Sequence, residues 1–212
     1  MSDISKLISG FRIFKATTFS KQKDIIHHLL EQGQKPSTLV ISCADIRLSP
    51  AEIFAANPGD LYVINNIGGF IPKYGTSGIA GILSALEYAV TDLEVQNIIV
   101  LGHAKCDGIK MMMSEKFVSE RGMSEAMKTW LSVASEARNM VKKQLADKTP
   151  DEQQSACEHE SIIITLRNLL TYPYINKRID QNKLGIFGWH FDVENGEIMA
   201  FNPDTRFFEP II

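Results

Sequence analysis

Apolar positions divide the chain into segments of contrasting period. Ile4, Leu7, Ile8, Phe11 and Phe14 recur at near-helical spacing, and Ile25, Ile26, Leu29 and Leu30 repeat the pattern, which predicts an amphipathic helical arm over residues 1–33. Two runs then change character. Thr38 to Ser42 is short and β-branched, and Asn97 to Gly102 is almost continuously apolar, as expected of strands buried on both faces of a parallel sheet. Between them, Ser49-Pro50-Ala51-Glu52 reads as a capped helix start with proline in its first turn, followed by a strand from Leu61 to Asn65. The pattern predicts a helix from Gly75 to Val90, Met-rich and Lys/Glu-rich helices within 109–147, and another beginning over Ser161 to Leu170. Phe187 to Phe191 and Glu197 to Phe201, joined through Asn195-Gly196, predict a closing hairpin. The class that follows is α/β: a mainly parallel central sheet flanked by helices, with an amphipathic helical N-terminal arm and a C-terminal hairpin. No repeat, linker or low-complexity tract interrupts it, so residues 1–212 read as one domain.

Composition narrows the function classes. With 44% hydrophobic residues among 212, the chain can bury a substantial single core. A formal charge of −3, with the charges scattered, offers no broad cationic field and argues against nucleic acid. No apolar run approaches the roughly 20 residues of a membrane helix, and Met-Ser-Asp-Ile-Ser lacks the basic-then-apolar look of a leader. The expectation is a cytoplasmic protein with no membrane partner. Three cysteines suit a reducing compartment better than a disulfide framework.

Two clusters carry the chemistry. Cys43-Ala44-Asp45-Ile46-Arg47 and His103-Ala104-Lys105-Cys106 each close one of the apolar strand runs, so both are expected at carboxyl ends of strands, where open α/β sheets bind ligands. An extended backbone through Cys43-x-Asp45-x-Arg47 would put the three functional groups on one side, and a turn would bring His103 and Cys106 together. Cys43, His103 and Cys106 are a three-ligand set for zinc with a fourth position left for water. Two thiolates offset the ion's charge, so a nearby acceptor such as Asp45, oriented by Arg47, would be needed.

Other readings of these residues stay open. The Cys–His cluster could be a structural zinc site, although such sites usually have four dedicated ligands. Cys43 with His103 could instead form a cysteine–histidine nucleophile pair, which metal removal would leave active. Gly68-Gly69 and Gly75-Thr-Ser-Gly78 precede a helix but fit neither the dinucleotide nor the P-loop spacing. Cys157-Glu158-His159 reads as a buried thiol and a surface histidine at a helix start. His27 and His28 read as helix-face residues, His190 as a strand residue, and Met111-Met112-Met113 as packing.

The chain resembles the beta-class carbonic anhydrases. The resemblance is carried by Cys43-Ala-Asp45-Ile-Arg47, Ser49-Pro50-Ala51-Glu52, Asn57-Pro58-Gly59-Asp60-Leu61, Leu86-Glu87-Tyr88-Ala89-Val90, Gly102-His103-Ala-Lys-Cys106 and Gly188-Trp189-His190-Phe191-Asp192, in order over roughly residues 30 to 212. It implies reversible hydration of carbon dioxide to bicarbonate and a proton, one zinc ion per chain on Cys43, His103 and Cys106, and Asp45 and Arg47 as a catalytic dyad. It also implies substrate contacts from Gln34, Tyr62, Tyr88 and Gly108, and a homodimer or dimer of dimers whose pocket lies at the subunit interface, with the 1–33 arm on the partner. Departures from the family pattern are Ile46 for serine, Asp107 for glycine, Asn65 for arginine and Gly69 for asparagine. Asn65 leaves as an alternative a catalytically impaired zinc or bicarbonate binder, and within the fold a related hydrolase acting on a molecule such as carbon disulfide is a second, which pocket access would decide.

Overall fold

The structure is a computed structural model that describes residues 3–47, 49–119 and 122–211. Helices α1 (Asp3–Phe14) and α2 (Ser20–Gln32) are joined through a π-helical turn, Lys15–Phe19, and form the predicted arm, whose first two residues lie outside the described ones. Strand β1 (Thr38–Cys43) leads to the short α3 (Pro50–Ile53), β2 (Leu61–Asn66), a 3-10 turn at Ile67–Gly69, α4 (Ala80–Thr91) and β3 (Asn97–His103). Then come α5 (Asp107–Met113), α6 (Glu115–Val118), α7 (Glu125–Leu131), α8 (Ser135–Gln144), α9 (Pro150–Leu169) and α10 (Pro173–Asp180). Strands β4 (Gly185–Asp192), β5 (Glu197–Phe201) and β6 (Phe208–Pro210) finish the chain.

The six strands lie in the order β2-β1-β3-β4-β5-β6, the first four parallel and the last two added antiparallel. Alternation along β1 sends Leu39 and Ile41 to one face and Val40 to the other. The first face holds the main core, with Leu86 and Ala89 of α4, Leu169 of α9 and Ile175 of α10. On the second face Val40, Ile99, Leu101 and Phe191 meet Ile53 and Phe54 at the end of α3. Helices α3 and α4 thus leave β1 and β2 toward opposite faces. The carboxyl end of β1 is therefore the switch point where an α/β sheet opens a crevice.

Two helix starts differ from the expectation. The helix predicted from Gly75 begins at Ala80, because Gly75 and Gly78 hold positive φ (83° and 86°) in the loop before it. The helix predicted from Ser161 begins at Pro150, where Thr149 and Glu152 form a reciprocal capping box with proline in the first turn. Cys157-Glu158-His159 is consequently mid-helix, and His159 is half-buried against Phe208 and His190 (ring centroids 4.3 and 4.4 Å away), not on the surface. The hairpin is as expected, and β6 adds a third antiparallel strand to it.

Candidate metal centre

Strand pairing assembles the site. β1 and β3 are neighbours with Ser42 opposite Leu101, so Cys43 and His103 emerge at the same edge of the sheet. Beyond His103 the chain turns through Lys105, held in the left-handed region at φ 56°, and returns Cys106 to the same point. That conformation costs a non-glycine residue on the order of 1–3 kcal/mol, so the surroundings must enforce it. They do so from several sides. Ala104 N–H donates to the Phe191 carbonyl (2.9 Å), Arg47 Nη1 donates to the Lys105 carbonyl (3.2 Å), Gln154 Nε2 to the Cys106 carbonyl (3.2 Å), and Cys106 N–H to Glu158 Oε1 (3.1 Å).

The three donor atoms of Cys43, His103 and Cys106 lie within 4.8 Å of one another, all buried. The two sulfurs are 3.6 Å apart. Two thiolates about 2.3 Å from one tetrahedral ion would be about 3.8 Å apart, so the pair is spaced for zinc. His103 Nδ1 lies 2.9 Å from the Ala104 carbonyl, which leaves Nε2 as the ligating nitrogen, and Nε2 is buried with no protein partner. An orphaned buried nitrogen facing two thiols is costly unless something takes it up. Charge points the same way. Hydrogen bonding from the Cys106 thiol lowers the pKa of Cys43 against the opposing effect of burial, while its sulfur also accepts from Asp45 N–H (3.3 Å) and Gly68 N–H (3.2 Å). The hydrogen bond to Cys43 together with burial raises that of Cys106. Burial acts to lower the His103 pKa, but the electrostatic pull of the nearby Cys43 sulfur, with the Ala104 carbonyl and Asp45, outweighs this and raises it. Two thiols so close cannot both ionise without a cation between them, and a zinc ion removes the conflict.

Cys43 is 1% exposed and its sulfur is already engaged by two N–H groups and Cys106, which leaves no face for an electrophile and speaks against the cysteine–histidine nucleophile.

Asp45 is not brought alongside Cys43 by an extended strand, as expected, because β1 ends at Cys43 and the chain turns, with Ile46 N–H donating to the Cys43 carbonyl (3.2 Å). Its carboxylate instead takes two donors on one oxygen: Arg47 Nη1 at 3.1 Å and Asp107 N–H at 2.8 Å. The second donor is a free N–H of the first turn of α5, one of the groups a helix start leaves unpaired. Asp107 itself lies outward, 3.8 Å from Arg47 Nη2, so its carboxylate shares the guanidinium. Ile46 packs in the core of the second sheet face, away from the sulfurs.

The 3-10 turn after β2 forms the opposite wall. Asn66 is buried and its side chain bridges to Phe70, donating to the carbonyl (3.0 Å) and accepting from the N–H (2.8 Å), which shapes the turn so that Gly68 N–H reaches Cys43. Gly68 has φ 83°, and a Cβ there would sit 2.3 Å from the Phe70 ring. A Cβ on Gly108 would sit 2.8 Å from Ile67 and 3.6 Å from the Cys106 sulfur, so Gly108 does line the centre. Trp130 Nε1 donates to the Ile67 carbonyl (2.7 Å) and stacks on Phe70. Asn65 accepts from the Ser42 hydroxyl. Sequence reasoning missed Asn66, Gly68, Gln154 and Glu158. A buried-carboxylate role for Glu158 carries no local signature, whereas the Asn-x-Gly-Gly turn after a strand was visible.

Tyr62, Tyr88 and Gln34 are not brought to the metal set within one chain. Tyr62 is paired with Leu39, four residues before Cys43 and so about 13 Å along the strand. Tyr88 packs beside it at a tilt (centroids 6.2 Å), and Gln34 is exposed before β1. A cleft of about 870 Å³ between the loop at Pro72–Ile79 and α7 includes none of the metal-set residues.

A family model described as carbonic anhydrase matches residues 38–198. The chain is 34% identical to beta carbonic anhydrase 3 of Arabidopsis thaliana over 96% of its length and 78% of the relative's. It is 31% identical to a carbonic anhydrase of Synechococcus elongatus over 93% of its length and 71% of that protein's. Among solved structures, the beta-carbonic anhydrase CcaA superposes with a TM-score of 0.92 at 32% identity, covering 99% of this chain and all of that one (100%). The chain belongs to the beta-carbonic anhydrase family.

Proposed function

We propose that the chain catalyses the reversible hydration of carbon dioxide to bicarbonate and a proton at a zinc ion held by Cys43, His103 and Cys106. The observation that carries this reading is the orphaned Nε2 of His103 facing two thiols 3.6 Å apart, at the sheet's ligand edge, in a member of this family. Zinc in such a set would supply the Lewis acidity that acidifies water, less strongly than in a three-histidine set because two thiolates offset its charge. The chain's own residues do the rest. Asp45, turned by Arg47 and by Asp107 N–H, presents an acceptor that orients the attacking hydroxyl. Backbone N–H groups of Asp45 and Gly68 spread the charge of the Cys43 thiolate, and Gly108 lets the start of α5 pack directly against the Ile67–Gly68 turn.

The pocket is completed by a second copy. Support comes from two unpartnered apolar surfaces. On the arm, Ile4, Leu7, Phe11 and Ile13 are more than 60% exposed, and on the second sheet face Val63 and Phe187 are exposed beside Val40 and Ile99. Among the described residues, the four-residue α3 is the one helix that joins the apolar cluster on that sheet face, and a parallel sheet needs a fuller second layer. In a homodimer or dimer of dimers, Gln34, Tyr62 and Tyr88 would serve the neighbouring centre as substrate contacts. The three unpaired, buried cysteines suit a cytoplasmic setting, and among the described residues no helix is long and apolar enough to cross a membrane.

Stopped-flow carbon dioxide hydration across pH, with zinc analysis of the same sample, tests the proposal. Turnover should track zinc content and rise toward alkaline pH. A metal-free sample with full turnover, or a fully loaded one with none, would overturn it.

A further inference from the structure

Glu158 is an isolated carboxylate in the middle of α9, 4% exposed, and hydration of carbon dioxide gives it no task. Its partners explain its place. Oε1 accepts from Cys106 N–H (3.1 Å) and from Gln154 Nε2 (3.0 Å), and Oε2 lies 3.3 Å from Nε2 of His190, itself 5% exposed on β4. Gln154, one turn earlier on α9, also donates from Nε2 to the Cys106 carbonyl. Two side chains of one helix therefore grip both polar groups of the Cys106 residue, the one that follows left-handed Lys105. The sheet holds the grip from behind, because His190 is paired with Gly102, immediately before His103.

We propose that Glu158, with Gln154 and His190, is a positioning clamp that fixes the backbone of Cys106 and thereby the sulfur that closes the metal set. The clamp acts through the backbone of a ligand and touches no reacting atom. It is needed here because Lys105 stores backbone strain, and relaxing that strain would swing Cys106 away from Cys43 and His103. An apolar residue of similar size would fill the same space but leave Cys106 N–H without its acceptor.

The inference rests on the zinc reading, and its test separates the two. Holoenzyme is prepared as wild type, Glu158→Ala, Glu158→Gln and Gln154→Ala, and zinc release to an excess chromophoric chelator is timed alongside thermal unfolding of the same samples. Glu158→Ala should release zinc 10- to 100-fold faster. Glu158→Gln, which keeps an acceptor for Cys106 N–H, should stay within about threefold of wild type, and Gln154→Ala, on a half-buried side chain, should fall between. Cobalt-substituted Glu158→Ala should show altered thiolate-to-metal absorption. Leu169→Ala, eleven residues further along α9 in the main core, lowers the unfolding temperature without the change in release. Release from Glu158→Ala within twofold of wild type, or no faster than from Leu169→Ala, overturns the clamp. Should Glu158→Ala not fold, wild-type release from Gln154→Ala does the same. A wild type that binds no zinc defeats the zinc reading instead.

Discussion

Replacing Gly68 by alanine tests how tightly the wall behind Cys43 is built. Two costs add. A left-handed φ of 83° penalises any Cβ by about 1–2 kcal/mol, and the new methyl would lie 2.3–2.7 Å from the Phe70 ring. That ring cannot simply give way, because it is fully buried and stacked on Trp130 with centroids 6.3 Å apart. Overpacking of this kind costs about 1–3 kcal/mol, for a total near 2–5 kcal/mol. Gly75→Ala is the matched control. Its φ is also 83°, but nothing lies within 4 Å of its Cβ, so only the backbone cost applies; the gain from a stiffer unfolded chain is common to both variants and cancels between them. For a chain of this size, the Gly68 variant should melt roughly 4–20 °C lower and the Gly75 variant only a few degrees lower at most. Urea and thermal unfolding of zinc-loaded samples at one protein concentration measure both. Equal losses in the two variants would refute the steric argument and with it the rigid wall.

Asp45→Ala should remove most carbon dioxide turnover while zinc stays bound, whereas Cys106→Ser should lose zinc; stopped-flow rates and metal analysis of both distinguish orientation from ligation. Burial, aided by the neighbouring His190, depresses His159 to about 4 from an ordinary 6.5. Between those values the unfolded chain binds more protons, so stability falls as pH drops through the window, by up to about 3 kcal/mol. His159→Phe should flatten that part of the urea midpoint against pH, and an unchanged slope would assign the loss elsewhere. Leu7→Glu with Phe11→Glu on the arm should reduce the mass seen by light scattering and lower turnover; unchanged mass would remove the arm from assembly.

Much of this was legible in the amino-acid order because the informative signals are local. Apolar runs at 38–42 and 97–102 specified parallel strands, and the clusters that end them specified where the ligands meet. The capping box at Pro50 is legible as a helix start, whereas the same signature at Thr149-Pro150-Asp151-Glu152 is hidden, since the polar first turns of α9 mask its apolar stripe until Ser161. Asp45 was assigned the right neighbour by the wrong geometry: alternation along a strand was assumed where a turn occurs. Its second donor, Asp107 N–H, and the Glu158 grip depend on elements 62 and 52 residues apart, and such pairings are set by packing that no short window contains. Gln34, Tyr62 and Tyr88 were found only through family resemblance, and one chain alone does not unite them with the sulfurs.

Placing β1 between β2 and β3 also governs when the metal can be loaded. A growing polypeptide emerging from the ribosome first displays Cys43 as a solitary thiol, a weak trap for any ion. High-affinity capture waits until a stretch about 60 residues later has slotted in alongside, a long-range closure that ranks among the slower steps of assembly. Zinc uptake is thus a built-in inspection of topology: only a correctly threaded sheet can hold its cargo.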